Sequence, residues 1–285
     1  MRMLVNAFWR IFVEKAMLVF PNCKINLGLQ ITRKRSDGFH DIASVMFPVG
    51  WTDMLEIIPA EKNSFVFDGQ TIGCPLHENL CYKAYELLKS DFDIPPVSLF
   101  LYKNIPQGAG LGGGSSDAAF TLKVLNILFS LEISTDELKA YAAKLGSDCS
   151  FFIDNQISLL TGKGDCLNAF DLRLKGYTVV IIKPDIHIST REAYELVLPK
   201  AAEYSIEDIL KQNIMNWQGV LKNDFEDVIF RKYPQLELVK DMLYNKGALY
   251  ASMSGSGSAI YGFFENPVDL DSIFPDYRRW QGIVE

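Results

Sequence analysis

The chain has 285 residues, 48% of them hydrophobic and 22% charged, with a formal net charge of −7. That is core-forming material for one large domain or two ordinary ones. The acidic balance gives no chain-wide attraction to nucleic acid or to an anionic membrane, so neither is an expected partner, and it leaves room for a local pocket that takes a small anionic molecule.

Met1 to Ala16 precedes the first strand-like sequence. Its apolar stretch Ala7–Val13 is interrupted by Arg10 and lacks a small-residue cleavage site, which argues against a signal peptide. The expectation is an N-terminal extension over 1–16, with Met17 as a candidate start. The five cysteines, Cys23, Cys74, Cys81, Cys149 and Cys166, are odd in number and form no C-x-x-C pair. Neither a disulfide framework nor a structural zinc site is expected, and a cytoplasmic location is. His40, His77 and His187 show no metal-ligand spacing, so no protein-held metal is expected.

In chain order, Met17–Phe20 reads as a short strand. Lys24–Thr32 reads as a longer one, with Ile25, Leu27, Leu29 and Ile31 on one face. Ser36-Asp37-Gly38 is a turn. Further strands are expected at 42–49, 53–58, 64–67 and 97–102, with a helix over 80–88 capped by Asn79. After a glycine-rich loop come helices over 115–129 and 134–144. Strands follow at 157–160 and 177–182, helices at 190–196, 206–210 and 234–244, and strands at 249–252 and 259–264 around a second glycine-serine loop. The sum is an α+β fold, with a boundary placed near 155–175 and no internal repeat.

The loop Pro106-Gln107-Gly108-Ala109-Gly110-Leu111-Gly112-Gly113-Gly114-Ser115-Ser116 stands between a strand and a helix. Phosphate oxygens need several converging donors. Glycine lets backbone N–H groups approach closely, and the following helix offers free N–H groups and the positive end of its dipole. Ser115 and Ser116 add hydroxyls suited to phosphate or Mg²⁺. No G-K-[ST] closes the loop, so it is not a P-loop, and no acidic residue follows as a dinucleotide fingerprint requires.

This loop, continued by Asp117-Ala118-Ala119, resembles the central motif of the GHMP kinase superfamily. Pro21-Asn22-Cys23-Lys24-Ile25-Asn26-Leu27 resembles its N-terminal motif, and Ser252–Ser258 its C-terminal glycine-rich motif, in the expected order. Within the superfamily the chain is most similar to the branch that phosphorylates 4-diphosphocytidyl-2-C-methyl-D-erythritol. Lys24–Leu29, Arg35-Ser36-Asp37-Gly38-Phe39-His40, Gly146–Phe152 and Gly162–Asp165 carry that likeness. Cys23 and Phe39 stand where that branch has Ala and Tyr, and Cys149-Ser150 replace a Val-Pro pair.

The resemblance implies a ribosomal-protein-S5-like N-terminal domain over 17–160, a ferredoxin-like C-terminal domain over 161–285, and an active site between them. It implies transfer of the γ-phosphoryl of ATP, accompanied by Mg²⁺, to the 2-hydroxyl of that substrate by a monomer or weak homodimer. It makes Asp148 the catalytic base, a residue that alone reads equally as a loop or capping aspartate. Lys24, otherwise the polar face of a half-buried strand, becomes the cation beside it, with Asn26 on the same side for substrate. His40 falls on the cytosine ring, with Phe39 and Tyr194 as stacking candidates that alone would be core aromatics. Thr190 and Gly255-Ser256-Gly257 fall near substrate. Asn79, alone an N-cap, and Lys103, alone a solvated strand-end lysine, fall on the adenine and ribose side. The rival readings are a kinase of mevalonate, homoserine or a sugar, and a catalytically silent nucleotide-binding regulator.

Overall fold

A computed structural model describes residues 16–69 and 75–285. The extension expected over 1–16 lies, but for Ala16, outside the described residues, as does Cys74. In chain order the strands are β1 (Met17–Val19), β2 (Asn22–Lys34), β3 (His40–Thr52), β4 (Met54–Pro59), β5 (Ser64–Gly69), β6 (Val97–Lys103), β7 (Ser158–Thr161), β8 (Cys166–Ala169), β9 (Thr178–Lys183), β10 (Tyr250–Met253), β11 (Ile260–Phe264) and β12 (Arg278–Ile283). The helices are α1 (Leu80–Asp91), α2 (Gly113–Leu128), α3 (Thr135–Leu145), α4 (Cys149–Asp154), α5 (Thr190–Leu196), α6 (Ile206–Leu210), α7 (Glu226–Lys232), α8 (Pro234–Asn245) and α9 (Leu270–Ile273).

The described chain divides into two compact units, neither continuous in sequence. The first holds the residues up to Asn22, Thr52–Ile105 and Gly113–Asn155. Its four-stranded sheet has the order β1-β4-β6-β5, antiparallel except for the parallel pair β5–β6. Helix α1 packs on α2, and α2 packs on α3 and α4. Local chemistry sets the helix starts. The Asn79 side chain accepts from the Cys81 N–H at 2.8 Å to cap α1, and Ser134 with Glu137 forms a capping box on α3. Each such cap contributes about 1 kcal/mol.

The second unit holds Cys23–Trp51, Pro106–Gly112 and Gln156–Glu285. It contains two four-stranded sheets, β2-β3-β7-β8 and β10-β11-β9-β12, with α8 packed against β10 and β11. In β2 every residue from Cys23 to Ile31 is buried, so both faces of this strand are covered. The alternation of Ile25, Leu27, Leu29 and Ile31 therefore marks one covered face rather than the boundary between core and solvent.

Elements β8, α4, α7, α9 and β12 are not expected from the sequence, and α2 differs at its start. Helix α2 begins two residues early, at Gly113, so the last glycines of the loop are already helical. The apolar run Phe151-Phe152-Ile153 forms the short helix α4, too brief for periodicity to show. The edge strand β12 pairs antiparallel with β9 along its whole length. Its sequence Arg-Arg-Trp-Gln-Gly-Ile has no apolar alternation, because no residue in it is fully buried.

Candidate active site

The second unit holds most of the expected site residues. Lys24 and Asn26 are only 4% and 2% exposed. An ammonium buried without a partner costs several kcal/mol, and here Lys24 Nζ donates to Asn26 Oδ1 at 2.5 Å. Asn26 Nδ2 donates to Ser44 Oγ at 2.9 Å, and Ser44 Oγ donates to the Gly28 carbonyl at 2.6 Å. Because the Ser44 proton is committed to Gly28, the amide of Asn26 has one consistent orientation, with its oxygen toward Lys24. Tyr261 Oη holds the Asn26 carbonyl at 2.8 Å. Lys24 thus presents its charge from a fixed frame.

The same strand secures the glycine loop, as the Lys24 N–H donates to the Leu111 carbonyl at 2.9 Å. Gly108, Gly110 and Gly112 have φ of 59°, 74° and 70°, while Ala109 and Leu111 between them are not left-handed. Left-handed residues alternating along a loop are the kind of backbone in which anion-binding nests form. Gly110 has no alternative residue, because a Cβ there would lie 1.9 Å from the Ser254 carbonyl oxygen. Ser254 Oγ donates to the Gly110 carbonyl at 2.8 Å, and the Ala259 N–H to the Ala109 carbonyl at 3.1 Å. The C-terminal loop carrying Gly255, Ser256 and Gly257 is therefore bonded directly to the glycine loop. Thr190 Oγ1 lies 3.3 Å from Ser256 Oγ, which joins the start of α5 to the same group.

The turn between β2 and β3 is held by charge. Asp41 receives Arg33 at 2.6 Å and Arg35 at 2.7 Å, and Asp37 Oδ1 accepts the Phe39 N–H at 3.1 Å. This fixes His40, whose ring stacks on Tyr194 at a centroid distance of 5.1 Å and an interplanar angle of 20°. Tyr194 in turn meets Phe225 edge-on at 5.0 Å. Burial, assisted by Lys34, lowers the His40 pKa below its ordinary value, so the ring is neutral at physiological pH. Phe39 is 58% exposed, which is not a core aromatic, and Lys163 Nζ lies 5.6 Å from its ring centre.

The first unit holds the remainder. Lys103 is buried, not a solvated strand end, and its ammonium lies between Asp53 and Asp117. Burial works against its charge, but the two carboxylates outweigh burial and hold its pKa above the ordinary value. Burial also pushes Asp117 up, to about 7, against the opposing pull of Lys103. Asp53 Oδ1 accepts the N–H groups of Asn104 and Ile105 at 2.6 and 2.8 Å, so it clamps the chain just before the glycine loop. A Cβ on Gly113 would stand 3.4 Å from Lys103 Nζ, which places this cluster under the first turn of α2.

In that first turn Ser116 Oγ is buried and takes no hydrogen bond. Ser115 bonds the thiol of Cys149, and a Cβ on Gly146 would lie 3.3 Å from Cys149 Sγ and 4.0 Å from Ser115 Oγ. The start of α2 and the start of α4 thus converge. Asp148 occupies the N-cap position of α4, yet its side chain makes no cap hydrogen bond. The capping role that sequence alone allowed is not the one it plays. Burial lifts the neighbouring Cys149 thiol to about 11, so it is un-ionised at neutral pH.

Family models match both parts of the chain: GHMP kinases N terminal domain over residues 79–162, and GHMP kinases C terminal over 205–280. A Parabacteroides distasonis protein named 4-diphosphocytidyl-2-C-methyl-D-erythritol kinase is 45% identical over 268 residues, 93% of this chain and 99% of that protein. One of the same name from Bacteroides thetaiotaomicron is 49% identical over 253 residues, 87% of this chain and 92% of that protein. The chain belongs to this family of GHMP kinases. A crystal structure of a 4-(cytidine 5'-diphospho)-2C-methyl-D-erythritol kinase aligns with a TM-score of 0.81 at 32% identity, covering 93% of this chain and 98% of that one. The Methanococcus jannaschii mevalonate kinase aligns with a TM-score of 0.67 at 14% identity and so shares the GHMP kinase fold.

Several residues that hold the expected site residues in place were not singled out by sequence. Ser44 sits unmarked in an apolar strand. Asn223 donates to the Met253 and Gly255 carbonyls at 2.8 Å each and so holds the C-terminal loop. Its only signal is a position before α7, where an asparagine reads as a cap. Asp53 reads as an ordinary strand-start acid, and Asp117, though part of the quoted motif, as a helix-start acid with no role of its own. Phe225, which supports Tyr194, reads as core.

Proposed function

We propose that this chain transfers the γ-phosphoryl group of ATP to the 2-hydroxyl of 4-diphosphocytidyl-2-C-methyl-D-erythritol, yielding ADP and the 2-phosphate. The chain is a kinase, a phosphotransferase with an alcohol acceptor. The single observation that carries the acceptor is the 45% identity to a so-named kinase across 99% of that relative's length. The glycine loop with its three left-handed glycines supports the phosphate-binding half of the reading.

In the proposed mechanism Asp148 accepts the proton of the attacking hydroxyl, and Lys24 offsets negative charge on the transferring group. Asn26 keeps the Lys24 ammonium directed, and the Ser44 bond keeps Asn26 directed in turn. The stacked His40 and Tyr194 rings, with exposed Phe39, give the cytosine base aromatic faces and a neutral imidazole. Mg²⁺ fits as the companion of ATP. Ser115 and Ser116 supply hard oxygen donors, and Ser116 Oγ is a buried polar atom without a protein partner. When bound, Mg²⁺ neutralises phosphate charge. The buried thiols of Cys81 and Cys149, neither in a disulfide, support a reducing cytoplasmic setting.

The test is a single-turnover assay with ATP and either the cytidyl substrate or mevalonate, homoserine or a sugar. Transfer confined to the cytidyl substrate is expected. Faster transfer to an acceptor lacking the cytidyl group would overturn the reading.

A further inference from the structure

His187 lies on the segment between β9 and α5 and packs against the phosphate loop. A Cβ on Gly108 would stand 2.7 Å from both Nδ1 and Cε1 of its ring. The contact is set by its neighbours. The Ile186 carbonyl accepts from Lys183 Nζ at 2.9 Å and from Ser258 Oγ. Ile188 is buried, and Ser189 caps α5 by accepting the Glu192 N–H at 3.1 Å. Anchored on both sides, His187 is exposed beside Gly108. Its ring takes no protein hydrogen-bond partner among the described residues. An imidazole held beside a left-handed glycine of a loop suited to phosphate, with its own polar atoms uncommitted, is placed to donate to an anion bound at that loop.

We propose that His187 is a further binding residue of this site and donates a hydrogen bond to a diphosphate group at the glycine loop. The reading rests on the kinase function above, which supplies two such groups: the polyphosphate of ATP and the diphosphate of the cytidyl acceptor. Both offer the same chemistry to the imidazole. Gly108 is then required twice, for its φ of 59° and because any side chain would displace the ring.

The experiment compares the full-length wild type with His187→Ala, His187→Phe and His187→Gln. The KM for ATP at saturating acceptor, the KM for acceptor at saturating ATP, and equilibrium binding of ADP, AMP and CDP to the enzyme alone are all measured. His187→Ala raises one of the two KM values by about tenfold with kcat little changed, the loss expected of a hydrogen bond to a charged group. A rise for ATP with weakened ADP binding and unaltered AMP binding assigns the nucleotide's polyphosphate. A rise for the acceptor with weakened CDP binding assigns the acceptor's diphosphate. His187→Phe behaves like His187→Ala, and His187→Gln recovers part of the affinity. Both KM values within twofold of wild type in His187→Ala, or full recovery in His187→Phe, would overturn the proposal, the latter by showing a packing role alone. The binding arm needs no phosphoryl transfer, so an error in the acceptor's identity leaves it readable.

Discussion

The rings of His40 and Tyr194 lie face to face, 5.1 Å apart, although one closes the turn after β2 and the other sits on α5. The pair offers a base one neutral imidazole edge and an aromatic surface. His40→Ala is expected to raise the KM for the cytidyl acceptor about tenfold, from a lost hydrogen bond and a lost stacking partner, each of order 1 kcal/mol. The KM for ATP stays within twofold. Equal losses for both substrates, measured by steady-state kinetics, would count against a cytosine site at this pair.

The same ring makes a pH prediction. Burial, then Lys34, depress the His40 pKa from its ordinary value. The neutral form is favoured in the fold, so its contribution is present above about 6.5 and is lost as pH falls through the lower folded value. The KM for the acceptor should therefore rise on acidification below that point. His40→Asn should flatten that rise, and an unchanged acid limb in this variant would exclude His40 as its origin.

How far the sequence could be read follows the physics of each feature. The glycine loop, the Lys24 strand and the Asp148 turn are local patterns, and the helix starts at Asn79 and Ser134 are set by side chains within three residues. The Asn26–Ser44 bond, the Asp53–Lys103–Asp117 cluster and the Asn223 clamp join residues on different elements, so no local pattern announces them. Lys103 shows the difference most plainly. At the end of β6 it reads as solvated, and only the fold brings two acids to it. Strand β12 was illegible for another reason, since an edge strand without a buried face has no apolar period to read.

The two acids around Lys103 should not be equivalent. Asp53 accepts two backbone N–H groups as well as the ammonium, whereas Asp117 Oδ1 has no partner. Asp53→Ala leaves Lys103 with Asp117 alone and strands two N–H groups, and is expected to cost about 3–5 kcal/mol. Asp117→Asn leaves the Lys103–Asp53 pair whole and should cost about 1 kcal/mol or less. Asp117 is also pushed up to about 7. A raised folded pKa contributes stability that is complete below the unfolded value and lost as pH rises through the folded one. The wild type should lose melting temperature between about pH 6 and pH 8, and Asp117→Asn should lose less. Thermal denaturation at both pH values decides, and matched losses in the two variants would refute the asymmetry.

Gly110 and Gly114 share one loop and make opposite predictions. A Cβ on Gly110 meets the Ser254 carbonyl at 1.9 Å, on a backbone with φ of 74°. Gly110→Ala must push the C-terminal loop away from the phosphate loop, and should lower the melting temperature by several degrees and raise the KM for ATP more than tenfold. Gly114 lies in the first turn of α2, with its nearest neighbour, Leu80, at 3.9 Å. Gly114→Ala should hold or raise the melting temperature, by up to about 1 kcal/mol of helix propensity. A destabilised Gly114→Ala would mean that this turn is not helical in solution.

Asp148 offers the sharpest separation of chemistry from fold. A residue that capped α4 would lose about 1 kcal/mol on replacement, but the Asp148 side chain makes no cap bond, and its backbone at φ −81° and ψ −12° suits asparagine equally. Asp148→Asn keeps the size and removes the basic oxygen. If Asp148 takes the hydroxyl proton, kcat should fall by about 10²–10⁴, the usual worth of a positioned base. The melting temperature and the equilibrium constant for ADP should stay at wild-type values. Loss of turnover together with loss of stability would return Asp148 to a structural role, and undiminished turnover would remove it from the mechanism.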